Sequence, residues 1–223
     1  MNWVSDNLDL IWALTVDHLR QSAIATVAGF VLSVPLGWLA FRYTPLRGTV
    51  LTLVGLLYTI PSFALFALLT LFGIPFLSEL NLLVALTIYA VAIMTRSVTD
   101  GLASVDPVAR SAAIAVGFGA WRRFWTVDFP LSGPVVLAGL RVTAMSTISL
   151  ATVGALIGVE NLGYLFTNGS QRRIIAEVFA GVVAVVVIAV IVDVLLTLAG
   201  RALMPWTRRR STPRPGRLRA VTA

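Results

Sequence analysis

The chain has 223 residues, 58% of them hydrophobic and 12% charged, with a formal net charge of +7, a single histidine and no cysteine. Soluble domains carry about 25% charged and about 45–50% apolar residues, so this balance excludes a disordered or fibrous chain and points to a membrane protein. The missing cysteines exclude a disulfide scaffold and a thiolate metal site, and His18 alone builds no histidine cluster, so no metal or other cofactor is expected.

Residues 1–21 hold acids and no basic leader, which reads as an extracytoplasmic N-terminal segment and not as a signal peptide. A bilayer span needs about 20 mostly apolar residues. Spans are expected at residues 22–41, 49–72, 80–95, 134–158 and 174–203 of the sequence, the third being short. The expectation is an all-α integral membrane protein with about five transmembrane helices, its membrane domain covering residues 22–203. Residues 204–223 form a basic tail, with Arg208, Arg209, Arg210, Arg214, Arg217 and Arg219, expected to be disordered. Because this tail follows a long apolar run, it reads as a cytoplasmic anchor and not as a nucleic-acid site. With the N-terminus outside and the C-terminus inside, thirteen arginines face the cytoplasm and three (Arg20, Arg172, Arg173) face out. That asymmetry fixes the expected orientation in the cell membrane.

The longest stretch outside the spans, residues 96–133, reads as a helical hairpin between the third and fourth spans. Asp106 followed by Pro107 is an N-cap and a first-turn proline. Good helix formers then run to Gly117, which stops the helix, and a second amphipathic arm with Trp121, Arg122, Arg123, Phe124 and Trp125 is expected to end at Pro130. A short helix protruding at the membrane surface, with aromatic anchors and charge, suits docking into the groove of a partner. An interfacial helix resting on lipid headgroups is the alternative.

Ser111-Ala112-Ala113, Gly117, and then Val127, Phe129 and Pro130 resemble, in spacing, the signature loop of ABC importer permeases, which reads Glu-Ala-Ala, three residues, Gly, about nine residues, Ile-x-Leu-Pro. Tyr58-Thr59-Ile60-Pro61-Ser62, Gly139-Leu140-Arg141, Ala155-Leu156-Ile157-Gly158 and Leu162-Gly163 look like the glycine betaine/carnitine/choline branch, the osmoprotectant permeases. The resemblance implies a dimer of ATPase subunits docked on the loop, a second permease copy or paralogue, and an extracytoplasmic solute-binding protein. It makes Ser111, Ala112, Ala113, Gly117, Trp121, Arg122 and Pro130 the coupling residues. Ser111 departs from the pattern, since the family usually has Glu there.

No phosphate-binding loop is present and there is no lysine to complete one, so the chain is not expected to be an enzyme that hydrolyses ATP itself. Pro61 interrupts the second span and frees backbone carbonyls, which a membrane tolerates beside protein or a water-filled cavity. Tyr58, Thr59, Pro61 and Ser62, with Ser146 and Ser149 from the hydroxyl-rich run of the fourth span, are the candidate translocation path. Helix packing is the competing use of such residues. Arg141, about 10 Å past Pro134, and Asp193, about 15 Å before Leu203, lie at similar depths and are expected to pair. Glu177 is expected to reach the outer interface. Other readings remain: the same architecture serving methionine or an oxyanion, or an ion-coupled secondary transporter.

Overall fold

The computed structural model describes residues 2–207, and the tail arginines from Arg208 onward lie outside the described residues. Within them the chain is helical and contains no strand. A short α1 (Asn2–Asp6) leads into α2 (Leu8–Arg42), a single 35-residue helix. It begins well before the span expected from residue 22. Hydropathy falls over Asp9, Asp17 and Arg20, yet Leu14, His18, Gln21, Ser22 and Ala25 are all buried on one face. The helical period therefore continues where the apolar composition does not.

The second span is broken. Helices α3 (Thr44–Thr59) and α4 (Ser62–Thr70) meet at Ile60-Pro61 with a 100° bend. Pro61 offers no N–H and is the N-cap of α4, so the expected kink becomes a change of direction. Among the described residues four helices are long and apolar enough to cross a membrane, or five if the bent pair counts as one span.

The third span is longer than expected. Helix α5 (Glu79–Ala103) continues past Arg96, because Val98 and Leu102 are buried beyond it and join a core with Met94, Phe124 and Val136. Ser78 caps its start, its Oγ accepting from Asn81 N at 3.2 Å. The hairpin therefore begins at Ser104, not at Arg96. It holds α6 (Pro107–Ala115), α7 (Ala120–Arg123) and a π turn (Phe124–Asp128) that runs into α8 (Phe129–Ala151). Pro130 does not end the second arm as expected. It lies in the first turn of α8, directly after the π turn, and the helix runs on through it. A 3-10 turn (Thr152–Ile157), the surface helix α9 (Gly163–Arg172) and α10 (Ile175–Leu203) complete the bundle.

Helix α5 is the hub, packing on α2, α3, α4 and α8. Small residues bring the backbones together: a side chain at Gly29 would collide with Ala90, and one at Gly139 with Ser97. Close approach through small residues is how helices associate where lipid removes the usual hydrophobic drive. Helix α10 lies outside, with Val183, Val187, Val190, Val194 and Leu198 exposed toward the space lipid would fill.

Candidate functional site

The hairpin is built from local signals. Asp106 Oδ1 accepts from Val108 N at 2.8 Å and caps α6, with Pro107 in the first turn. At the far end Gly117 has φ +85, Phe118 N donates to Ala113 O at 3.0 Å, and Gly117 N donates to Ile114 O at 2.9 Å. These are the two bonds of a Schellman stop, which needs a left-handed residue at this position. Ser111 and Ala112 are exposed on α6, whereas Ala113 turns inward.

The second arm is held by rings. Phe124 is buried, edge-on to Trp38 at 6.3 Å and to Trp125 at 4.8 Å. Trp121 stacks over Phe124 at 6.5 Å yet remains 72% exposed, and Arg122 lies over the Phe118 ring at 4.4 Å. Val108 and Val116 are also exposed on α6 and just after it, while Trp121 and Trp125 line an apolar groove with Phe30, Val34 and Trp38 of α2.

A clamp that sequence reading missed fixes the base of the hairpin. Asp128 is buried; its Oδ1 accepts from Arg110 Nε at 2.9 Å and its Oδ2 from Arg123 Nε at 3.1 Å. Arg110 also donates to Leu102 O at 2.9 Å, the last turn of α5, and lies 4.8 Å from the Phe41 ring centroid. Arg123 and Asp128 are five apart, off the helical i, i+4 spacing that would have flagged them, and only the π turn brings them together.

At the break of the second span, Tyr58, Thr59 and Pro61 are exposed and Ser62 is half-buried. Buried Tyr89 donates its hydroxyl to Ile60 O at 2.6 Å and packs edge-on to Tyr58 at 5.9 Å. The hydroxyl run of α8 divides. Thr143 and Thr147 are buried and donate back to their own helix at Gly139 O and Thr143 O, both at 2.8 Å. Ser146 is half-buried and Ser149 exposed. No hydrogen bond joins these serines to the Tyr58–Ser62 set among the described residues, and α5 stands between the two groups.

Arg141 and Asp193 form a two-pronged ion pair, Nε to Oδ1 at 2.6 Å and Nη2 to Oδ2 at 2.7 Å, tying α8 to α10. Glu177 does not reach the outer interface. It is fully buried, with Oε1 accepting from Asn168 Nδ2 at 2.6 Å across the α9–α10 turn. A second buried network at that end also escaped sequence reading. Asn161 Nδ2 donates to Gln21 Oε1 at 3.1 Å and to Ala151 O at 2.9 Å, Asn161 Oδ1 accepts from Gly163 N at 2.8 Å, and His18 Nε2 lies 2.9 Å from Ile148 O. It staples the start of α2 to the turn after α8.

The family model of the binding-protein-dependent transport system inner membrane component matches residues 29–209. An osmoprotectant import permease protein of Salmonella typhimurium is 32% identical over 88% of this chain and 93% of its own length. A choline transport system permease protein of Bacillus subtilis is 30% identical over 88% and 89%, and a glycine betaine/carnitine/choline transport system permease protein of the same organism is 31% identical over 86% and 87%. Among solved structures, an inward-facing MetNI methionine ABC transporter is similar in fold, with TM-score 0.74 and 21% identity over 91% of this chain and 98% of that one.

Proposed function

The chain belongs to the family of binding-protein-dependent transport system inner membrane components, and from that premise we propose that it carries quaternary-ammonium compatible solutes such as glycine betaine, choline and carnitine. It is a multi-pass membrane permease subunit of an ABC importer and a transport component, not itself an enzyme. An ATPase and a solute-binding protein are its partners by family. In the proposed assembly an ATPase dimer docks on the hairpin, through Ser111, Ala112, Gly117, Trp121 and Arg122, and a second permease copy or paralogue completes the path.

The observation that carries the substrate reading is the identity of 30–32% along most of the chain to relatives named for choline and osmoprotectant import. The capped and clamped hairpin, with Ser111 and Ala112 exposed on α6, supports the docking reading, since a short rigid helix is what a grooved partner can grip. The arginine distribution supports an extracytoplasmic N-terminus and a cytoplasmic C-terminus.

The test is uptake of radiolabelled choline and glycine betaine in cells carrying this chain with its genomic partners. Uptake should require the ATPase. Uptake that persists without any ATPase refutes the importer mechanism, and transport of methionine in place of the amines refutes the substrate assignment.

A further inference from the structure

We propose that the break between α3 and α4 is a weak cation subsite, in which a trimethylammonium group rests against the Tyr58 ring at the carbonyl end of α3. The physiological ligand, though not the site, rests on the osmolyte reading above.

Depth comes first. Helix α3 starts at Thr44, beside Arg42 and Arg47, and runs 16 residues, about 24 Å, before it stops at Thr59. From a membrane face that distance reaches far into a hydrocarbon core of about 30 Å. Interrupted backbone at such depth is tolerated against protein or a water-filled cavity, not against lipid.

The carbonyls come next. Pro61 has no N–H, so the break lacks one backbone donor. Ile60 O accepts from the Tyr89 hydroxyl. The C-terminal end of a helix carries partial negative charge, and Tyr58 lies in the last turn of α3. Helix α4 leaves at 100°, so its amide end is not collinear with that field.

Tyr58 supplies the surface. It stays 48% exposed, while its edge-on contact with buried Tyr89 sets its place beside the break. An aromatic ring attracts a quaternary ammonium through its quadrupole without needing a hydrogen bond, which such an ion cannot donate. Residues 44–70 contain no Asp or Glu, so the two helices that form the break bring no formal counter-charge of their own. That suits a path, where a bound solute must leave as well as enter. Tyr89 is a positioning residue: it holds the Ile60 carbonyl and the flank of Tyr58 and touches no solute.

The chain has no cysteine, so a Ser62→Cys variant carries one thiol at the break. In the assembled transporter in membranes, the rate at which N-ethylmaleimide modifies this chain is measured with tetramethylammonium, with choline, and with the neutral isostere 3,3-dimethylbutan-1-ol. The expected result is saturable slowing of about 3- to 30-fold by the two cations and none by the alcohol. Adding Tyr58→Leu should abolish the slowing, and Tyr58→Phe should keep it. Equal labelling with and without cations, equal protection by the alcohol, or protection that survives Tyr58→Leu each overturns the subsite. If Tyr58→Leu does not insert, the cation–alcohol comparison with Tyr58 intact still decides. Protection without choline or betaine uptake refutes the osmolyte reading and leaves the subsite; uptake without protection refutes the subsite alone.

Discussion

Replacing Gly117 with Val separates docking from insertion. The backbone there has φ +85, and a Cβ would meet no heavy atom within 4 Å. The cost is therefore conformational and not a clash. An L-residue in the left-handed region costs about 1–2 kcal/mol, and strained backbone of this kind about 1–3 kcal/mol, with a β-branched side chain at the upper end. If the chain escapes the strain by relaxing φ, it loses the Phe118 N–Ala113 O bond and the second arm swings away from α6. Either way the docking-competent hairpin is depleted, by up to about 150-fold at 1.4 kcal/mol per decade, and apparent ATPase affinity falls with it. All spans are untouched, so membrane insertion should equal wild type. Gly117→Asn should be mildest, since Asn visits this region most readily, and Gly117→Ala intermediate. Co-purification of the ATPase subunit and solute uptake are measured on the three variants. If Gly117→Val inserts normally and both quantities match wild type, the hairpin is not the coupling element.

Asp128→Ala leaves Arg110 and Arg123 without their carboxylate; removing one partner of a buried pair costs about 3–5 kcal/mol at the upper end, so limited proteolysis should cut within residues 104–128 and ATPase capture should fall. Ser111→Glu, on an exposed face of α6, should insert normally and hold the ATPase as tightly as wild type or more so, read by the same co-purification. A membrane-impermeant thiol reagent applied from outside should label Asp6→Cys and not Ser111→Cys; the reverse pattern refutes the orientation. Arg141→Ala and Asp193→Ala should each lower the amount of folded protein in the membrane, and the exchanged pair Arg141→Asp with Asp193→Arg should recover part of it.

What the sequence displayed well was whatever rests on local chemistry. Asp106, Pro107 and Gly117 mark the ends of α6 because capping and a left-handed stop each need particular residue types at one position. Arg141 and Asp193 were legible because an intramembrane charge needs a partner, and only a few are available. The boundary errors share one cause: hydropathy reports where lipid could be, while a helix ends where its buried face ends. Arg96 lowers the hydropathy of α5, yet Val98 and Leu102 keep its inner face packed to Ala103, and Leu14 and His18 do the same for the early part of α2. The Asp128 clamp was invisible for a different reason, since it depends on a π turn that no residue type announces.

The hydroxyl run shows how far composition carries a functional site. Thr143 and Thr147 lie in the same stretch as Ser146 and Ser149, but they bond their own helix and pack inward. Residue type alone does not tell the packed hydroxyls from the rest; burial sets Thr143 and Thr147 apart from Ser146 and Ser149. The same logic gives α5 its part. It is touched at one end by Arg110, through Leu102 O, and it holds the broken span through the Tyr89 hydroxyl on Ile60 O. Those two contacts are about 20 Å apart on one continuous helix. Asp128 pins both arms of the hairpin and Arg110 ties it to the last turn of α5, so one continuous helix physically connects the hairpin to the break at Pro61.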